Sequence, residues 1–166
     1  MTRKIVPLII SILFLCTACL DGTEFYKKDS NISDSKTAEE NLKEGQDFLA
    51  ENAKKEGVIT LKTGLQYKVI TEGTGESPVF EDQVVCDYEG RLIDGTIFDS
   101  SYKRGETAEF PVAGVIPGWT AALQLMKTGC KWELYVPSNL AYGNRDVTGI
   151  GPNKTLIFII ELHSIK

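Results

Sequence analysis

The chain has 166 residues, of which 42% are hydrophobic, and carries 18 Lys plus Arg against 23 Asp plus Glu, a net charge of −5. That length suits one domain with a real core plus appendages, and is too short for two full domains. The acidic balance argues against nucleic acid as a partner, because neutralising phosphates needs clustered Lys and Arg.

Met1-Thr2-Arg3-Lys4 is a charged start, followed by an apolar run from Ile5 to Leu15 broken only by Pro7 and Ser11. The run is too short to span a bilayer on its own and reads as the h-region of a signal peptide. Leu15-Cys16-Thr17-Ala18-Cys19 then puts small residues ahead of a cysteine, in the manner of the lipobox of bacterial lipoproteins. The expectation is a signal peptide over 1–18, cleavage before Cys19 and lipidation of its thiol. Cys16 is the worse site, because Phe14 and Leu15 are bulky beside the bond to be cut. An uncleaved signal anchor and a plain secreted protein are the alternatives. Loss of Arg3 and Lys4 with a leader leaves 16 basic residues against 23 acidic ones, a net charge of −7. Leu20 is not the aspartate associated with inner-membrane retention, and the expected location is the cell envelope, lipid-anchored at the outer membrane or the periplasmic face.

Residues 19–34 are polar, rich in Asp, Ser, Asn and Lys, and read as a flexible tether. A helix is expected over 35–57. Thr37 with Glu40 forms a capping-box pattern; Ala38, Leu42, Gly45 and Leu49 recur at helical spacing; Lys54 and Lys55 suit a last turn and Gly57 a stop. The narrow apolar stripe suits either docking on the chain's own domain or pairing with a second copy. A dimer through this helix is left open and unsupported.

From residue 58 to 166 strands and turns take over. Leu65 to Ile70, Gln83 to Leu92, Thr107 to Val112, Lys131 to Val136 and Thr155 to Ile165 read as strands, with Asp94-Gly95 as a hairpin signal. Pro117-Gly118-Trp119 opens a short helix through Met126, closed by Gly129. One helix among these strands predicts an α+β domain, with an antiparallel sheet of five to six strands wrapped around a single short helix and preceded by the N-terminal helix. Cys86 and Cys130 read as small buried hydrophobes, and their spacing is no metal motif.

The only histidine, His163, lies near the C-terminus with no nucleophile or metal pattern around it, which argues against hydrolase and metalloenzyme chemistry. Gly73-Thr74-Gly75 and Gly149-Ile150-Gly151 lack the strand-to-helix setting of a phosphate loop and read as turns. What remains is a run of large apolar residues in Gly-flanked positions: Tyr88, Phe98, Phe110, Val115, Ile116, Trp119, Tyr142 and Phe158. Any one of these is ordinary core packing when taken alone.

Taken in order they are more specific. Asp87-Tyr88-Glu89-Gly90-Arg91-Leu92, Asp94-Gly95-Thr96-Ile97-Phe98-Asp99-Ser100-Ser101, Val115-Ile116-Pro117-Gly118-Trp119 and Leu140-Ala141-Tyr142-Gly143 resemble, in order and spacing, the motif series of FKBP-type prolyl isomerases. The run from Ile116 through Tyr142-Gly143 to Gly151-Pro152-Asn153-Lys154-Thr155-Leu156-Ile157-Phe158 resembles in particular the Mip (macrophage infectivity potentiator) group of bacterial surface and periplasmic isomerases. The resemblance implies a proline pocket lined by Tyr88, Phe98, Asp99, Phe110, Val115, Ile116, Trp119, Tyr142 and Phe158, with Trp119 as its floor. It also implies that the Ile116 backbone N–H and the Tyr142 hydroxyl hold peptide carbonyls. Asp99, followed by Arg104, would supply the polar side, either polarising a carbonyl edge or orienting Tyr88 and Arg104; the cost of a bare buried charge favours orienting. Two stretches depart from the pattern. Ala108 stands where many members carry an aromatic residue, which opens that wall, and Arg145 to Gly149 differs from better known members in length and sequence.

The implied chemistry needs no cofactor and no metal. Rotation about X-Pro costs about 18–20 kcal/mol through loss of amide resonance, and the twisted form loses the charge separation of the planar one, so an apolar cavity favours it. By the resemblance the partners are prolyl-containing polypeptides and macrolide inhibitors, with the membrane reached through the N-terminal lipid. A non-catalytic prolyl-binding or chaperone module is the competing reading, and a structural surface protein with an inherited fold a third.

Overall fold

Alternation of buried and exposed residues along Gln83–Leu92 makes this ten-residue strand, β3, the spine of the molecule. Val84, Cys86, Tyr88, Gly90 and Leu92 all turn inward, as the period of two of an extended chain requires. The computed structural model describes residues 36–166; the expected signal peptide, Cys19 and the tether over 19–34 lie outside the described residues. The other strands are β1 (Val58–Thr60), β2 (Gln66–Thr71), β4 (Ile97–Ser100), β5 (Ala108–Pro111), β6 (Lys131–Val136) and β7 (Leu156–Ile165). They form one seven-stranded sheet in the order β1-β2-β6-β7-β3-β4, with β5 also on β3. Every pairing is antiparallel.

The expected α+β architecture stands, and the sheet extends beyond the strands read from sequence. β1 is only three residues long, too short for its periodicity to register. One edge of β3 pairs with β7 from Val84 to Leu92. The other edge is divided, with β5 opposite Gln83 to Cys86 and β4 opposite Glu89 to Arg91.

The concave face of the sheet closes over the helix α3 (Pro117–Leu123), which starts with proline at its first position, where the missing N–H costs nothing. It ends at Leu123, earlier than the expected Met126, because the chain turns there with Leu125 N–H bonding back to Ala122 O at 2.9 Å. Trp119, Ala122, Leu123 and Met126 meet Val84, Cys86, Leu134, Phe158, Ile160 and Leu162 in a single core. Both cysteines within the described residues are buried and free. Burial pushes the Cys86 thiol up to about 12, so it stays protonated and inert as a small hydrophobe.

The N-terminal helix, α1 (Ala38–Asn52), begins with the expected capping box: Glu40 N–H donates to Thr37 Oγ1 at 3.2 Å and Thr37 N–H to Glu40 Oε2 at 2.7 Å. Its other end differs from expectation. Lys54 and Lys55 fall beyond the last turn, because their N–H groups make tight bonds to Glu51 O and Asn52 O that end the helix. The buried face also differs, since Leu42 is 39% exposed while Asn41, Gly45 and Asn52 are buried. Amide hydrogen bonds, together with the Phe48 ring 6.0 Å from that of Tyr135, seat the helix on its own domain. Asn41 Nδ2 donates to Pro152 O at 2.9 Å, Asn153 Nδ2 to Ala38 O at 3.2 Å, and Asn52 Nδ2 to Gln66 Oε1 at 3.0 Å. Gln66 Nε2 donates in turn to Leu49 O at 2.8 Å.

Gly45 is required by this close approach, because a Cβ there would lie 2.3 Å from Thr155 Oγ1. Alanine is the better helix former by about 1 kcal/mol, but overpacking a buried contact costs about 1–3 kcal/mol. Gly45→Ala is therefore expected to lower the melting temperature despite its gain in propensity. Adding Thr155→Ala should recover part of the loss, both read by thermal unfolding.

Candidate functional site

Where β4 and β5 part, the edge of β3 opposite β7 has no strand beside Asp87 and Tyr88, and the chain fills that gap with a side chain. Ser101, at the start of the single-turn helix α2 (Ser101–Arg104), accepts the Tyr88 backbone N–H on its hydroxyl at 2.9 Å and donates to Asp87 Oδ1 at 2.7 Å. That substitution fixes Tyr88 and sets α2 beside it. Asp99, at the end of β4, then takes the Tyr88 hydroxyl on one carboxylate oxygen and Arg104 Nη1 on the other. Arg104 Nη2 donates to the Tyr88 hydroxyl at 3.0 Å, and its guanidinium lies 5.5 Å from the Tyr88 ring centre. The three side chains form a closed ring of hydrogen bonds.

Burial alone would push the Asp99 carboxyl up, but donation from Tyr88 and Arg104 outweighs it and holds the group below the usual carboxylate range. Burial, and then the acceptor Asp99, push the Tyr88 hydroxyl above its ordinary value. Asp99 thus stays charged, and Tyr88 protonated, across the neutral range.

Beside this ring lies a cleft of about 280 Å³ lined by Tyr88, Phe98, Asp99, Phe110, Gly114, Val115, Ile116, Trp119, Tyr142 and Phe158. Trp119 is 4% exposed and meets three other lining residues edge to face: Tyr88 at 5.4 Å, Phe110 at 5.6 Å and Phe158 at 5.2 Å between ring centres. Phe98 in turn stands perpendicular to Phe158 at 5.7 Å. Such contacts fix ring orientation as well as burying area.

The opposite wall comes from two turns. Thr120 Oγ1 donates to Val112 O at 2.8 Å, tying the turn that carries Gly114, Val115 and Ile116 to α3. Among the described residues no acceptor takes the Ile116 N–H. Tyr142 follows a second short turn, which Gly143 N–H closes on Ser138 O at 2.8 Å and Asn153 N–H braces through Gly143 O at 2.7 Å.

The structure brings all nine residues of the expected pocket to one cleft. Arg104 stands behind it, bonded to Asp99 and Tyr88, and Ala108 pairs with Cys86 without lining it. His163 is held by Asp87, Nε2 to Oδ2 at 2.8 Å, and is not among the lining residues. Among the described residues no group of three or more His, Cys, Asp or Glu could hold a metal ion. Sequence reading missed two glycines. Gly114 lines the cleft with backbone, and Gly90 lies behind it, where a Cβ would come within 2.6 Å of Phe98 Cζ and 2.8 Å of Phe158 Cε1. A glycine in a strand is the one signal of such close approach.

Gly90→Ala should therefore push both rings into the cleft, costing about 1–3 kcal/mol of stability. It should also weaken binding of a prolyl peptide more than an alanine at exposed Gly95 does, as read by intrinsic tryptophan fluorescence.

Comparison with known proteins agrees with this geometry. Residues 74–163 match the family model described as FKBP-type peptidyl-prolyl cis-trans isomerase, and residues 21–69 match the domain amino terminal to it. The chain is 56% identical over 133 residues to the outer membrane protein MIP of Legionella longbeachae, covering 80% of this chain and 57% of that one. It is 54% identical over 127 residues to the peptidyl-prolyl cis-trans isomerase Mip of Coxiella burnetii, covering 76% and 55%. Among solved structures, FkpA from Escherichia coli superposes with a TM-score of 0.76 at 48% identity, covering 78% of this chain and 61% of that one. The chain thus spans little more than half the length of these curated relatives. With its domain, its cleft and its sequence in agreement, the chain belongs to the FKBP-type peptidyl-prolyl cis-trans isomerase family.

Proposed function

We propose that this protein is a peptidyl-prolyl cis/trans isomerase that acts on exported polypeptides. The observation that carries the reading is the aromatic cleft itself: a prolyl-sized apolar cavity floored by Trp119, with a free backbone donor at Ile116 on its wall. Nothing in it resembles an activated nucleophile or a proton relay.

The barrier of about 18–20 kcal/mol comes from amide resonance, and only interactions stronger in the twisted state than in either planar state lower it. The aromatic floor takes the prolyl ring and strips water from the amide, which penalises the more polar planar form. The Ile116 N–H and the Tyr142 hydroxyl hold carbonyls of the peptide while the bond turns. Asp99 acts as an orienting group. Its carboxylate is already engaged by Tyr88 and Arg104, so it fixes the polar wall and is not left as a bare charge facing the peptide. The reaction requires no cofactor.

In this reading residues 1–18 are a lipoprotein signal peptide, Cys19 carries the lipid, 19–34 form the tether, 35–57 form the N-terminal helical segment and 58–166 the isomerase domain. The chain then works in the cell envelope, held to a membrane by its lipid. The name outer membrane protein MIP, borne by the Legionella longbeachae relative, supports an envelope location. Macrolides that fill a prolyl cleft are expected inhibitors.

Cis-to-trans conversion of a short Leu-Pro peptide tests the activity. The protein should accelerate it, and a macrolide ligand should block the acceleration. Trp119→Ala should lower kcat/KM at least about tenfold through loss of the floor. Tyr142→Phe should lower it roughly two- to tenfold, the equivalent of about 0.5–1.5 kcal/mol for one neutral hydrogen bond. Peptide binding without acceleration would replace this reading with that of a prolyl-binding module.

A further inference from the structure

The neighbourhood of the cleft holds two arginines in different states. Arg104 is neutralised within the ring it forms with Asp99 and Tyr88. Arg145 is not. Among the described residues no carboxylate lies within 4.0 Å of it, its sequence neighbour Asp146 included.

Arg145 is nevertheless held in place. Its guanidinium lies 5.6 Å from the centre of the Tyr142 ring, and Tyr142 lines the cleft. Its Nε donates to Tyr142 O at 3.1 Å, and its backbone N–H to the same oxygen at 3.3 Å. Arg145 is an exposed residue, and stacking and hydrogen bonding through Nε leave its two terminal nitrogens without a partner among the described residues. A side chain already pinned loses less entropy on forming an ion pair than a free one does. Asp99 is consumed by Arg104 and Tyr88, and every other lining residue is uncharged. Arg145 is therefore the unbalanced charge stacked on the cleft wall.

We propose that Arg145 is a specificity-determining residue that favours a carboxylate beside the proline, so that an acidic neighbour is preferred over its neutral isostere and a basic one is disfavoured. The inference rests on the prolyl cleft described above. It runs against the chain's net charge of −5, which by itself repels acidic peptides and attracts basic ones. A preference for acid is thus the signature of a local cation, and removal of that cation should expose the opposite, long-range preference.

The test uses two peptide series, one varying the residue before proline and one the residue after it, each with Glu, Gln or Lys. Both kcat/KM and affinity, by tryptophan fluorescence, are measured at low and at high salt. In the wild type the Glu peptide should exceed the Gln peptide by roughly two- to fivefold in one series, as for an exposed ion pair. That ratio should collapse towards one at high salt. Arg145→Gln should bring the low-salt ratio to one or below, with Lys overtaking Glu, and Arg145→Lys should keep part of the preference. Equal values for Glu and Gln in the wild type would overturn the proposal. So would an Arg145→Gln variant that lowers all peptides by one factor with the ratio intact, since that is the mark of a residue that merely supports Tyr142. If no peptide is accelerated, the isomerase reading falls, while the Glu to Gln ratio of affinities still decides for or against Arg145.

Discussion

The edge-to-face packing of Trp119 against Tyr88, Phe110 and Phe158 is the contact on which both the core and the cleft depend. The indole sits on α3 and closes the concave face of the sheet, so the surface that ends the core is also the floor of the cleft. The two cannot be varied separately. Rings held nearly perpendicular on three sides have few alternative orientations, and a cleft whose walls are already in place spends none of its binding energy on ordering itself.

The polar side of the cleft is built on a defect in the sheet. β4 and β5 share one edge of β3 but leave its middle unpaired, and an orphan backbone N–H there would be costly. Ser101 meets that need at Tyr88 and in doing so starts the single turn that delivers Arg104. The same accounting explains why Tyr88, Asp99 and Arg104 converge although they lie on three different elements. A parallel logic seats α1 through Asn41, Asn52, Asn153 and Gln66. Asn153, by its backbone, also braces the turn that carries Tyr142. The helix and the cleft wall are therefore mechanically continuous.

Much of this was legible in the sequence. The long alternating strand Gln83–Leu92 and the strand Lys131–Val136 have the bounds that their periodicity implied, because strands with one buried face carry the strongest pattern. The cleft was legible only as an ordered series of motifs. A single Phe98 or Phe158 looks like any core residue, and burial does not separate the two roles. Three features were illegible for physical reasons. Val58–Thr60 is too short to show a period. Gly90 and Gly114 act by having no side chain. α1 buries asparagines, whose partners lie far away in sequence, so an apolar stripe could not reveal its docking face.

The central claim is that the cleft turns the prolyl bond by shape and fixed dipoles, without moving a proton. Asp99 is held below the usual carboxylate range, so its charge, and the stability it brings, is lost only as pH falls through that lowered value. Tyr88 is pushed above its ordinary value, so it stays neutral until well into the alkaline range. Neither changes state between about pH 5 and 9. The most direct measurement is kcat/KM for a neutral Leu-Pro peptide across that range, in H2O and in D2O. The account predicts a flat profile and the same rates in both solvents; a titration step within the range, or a clear slowing in D2O, would contradict it.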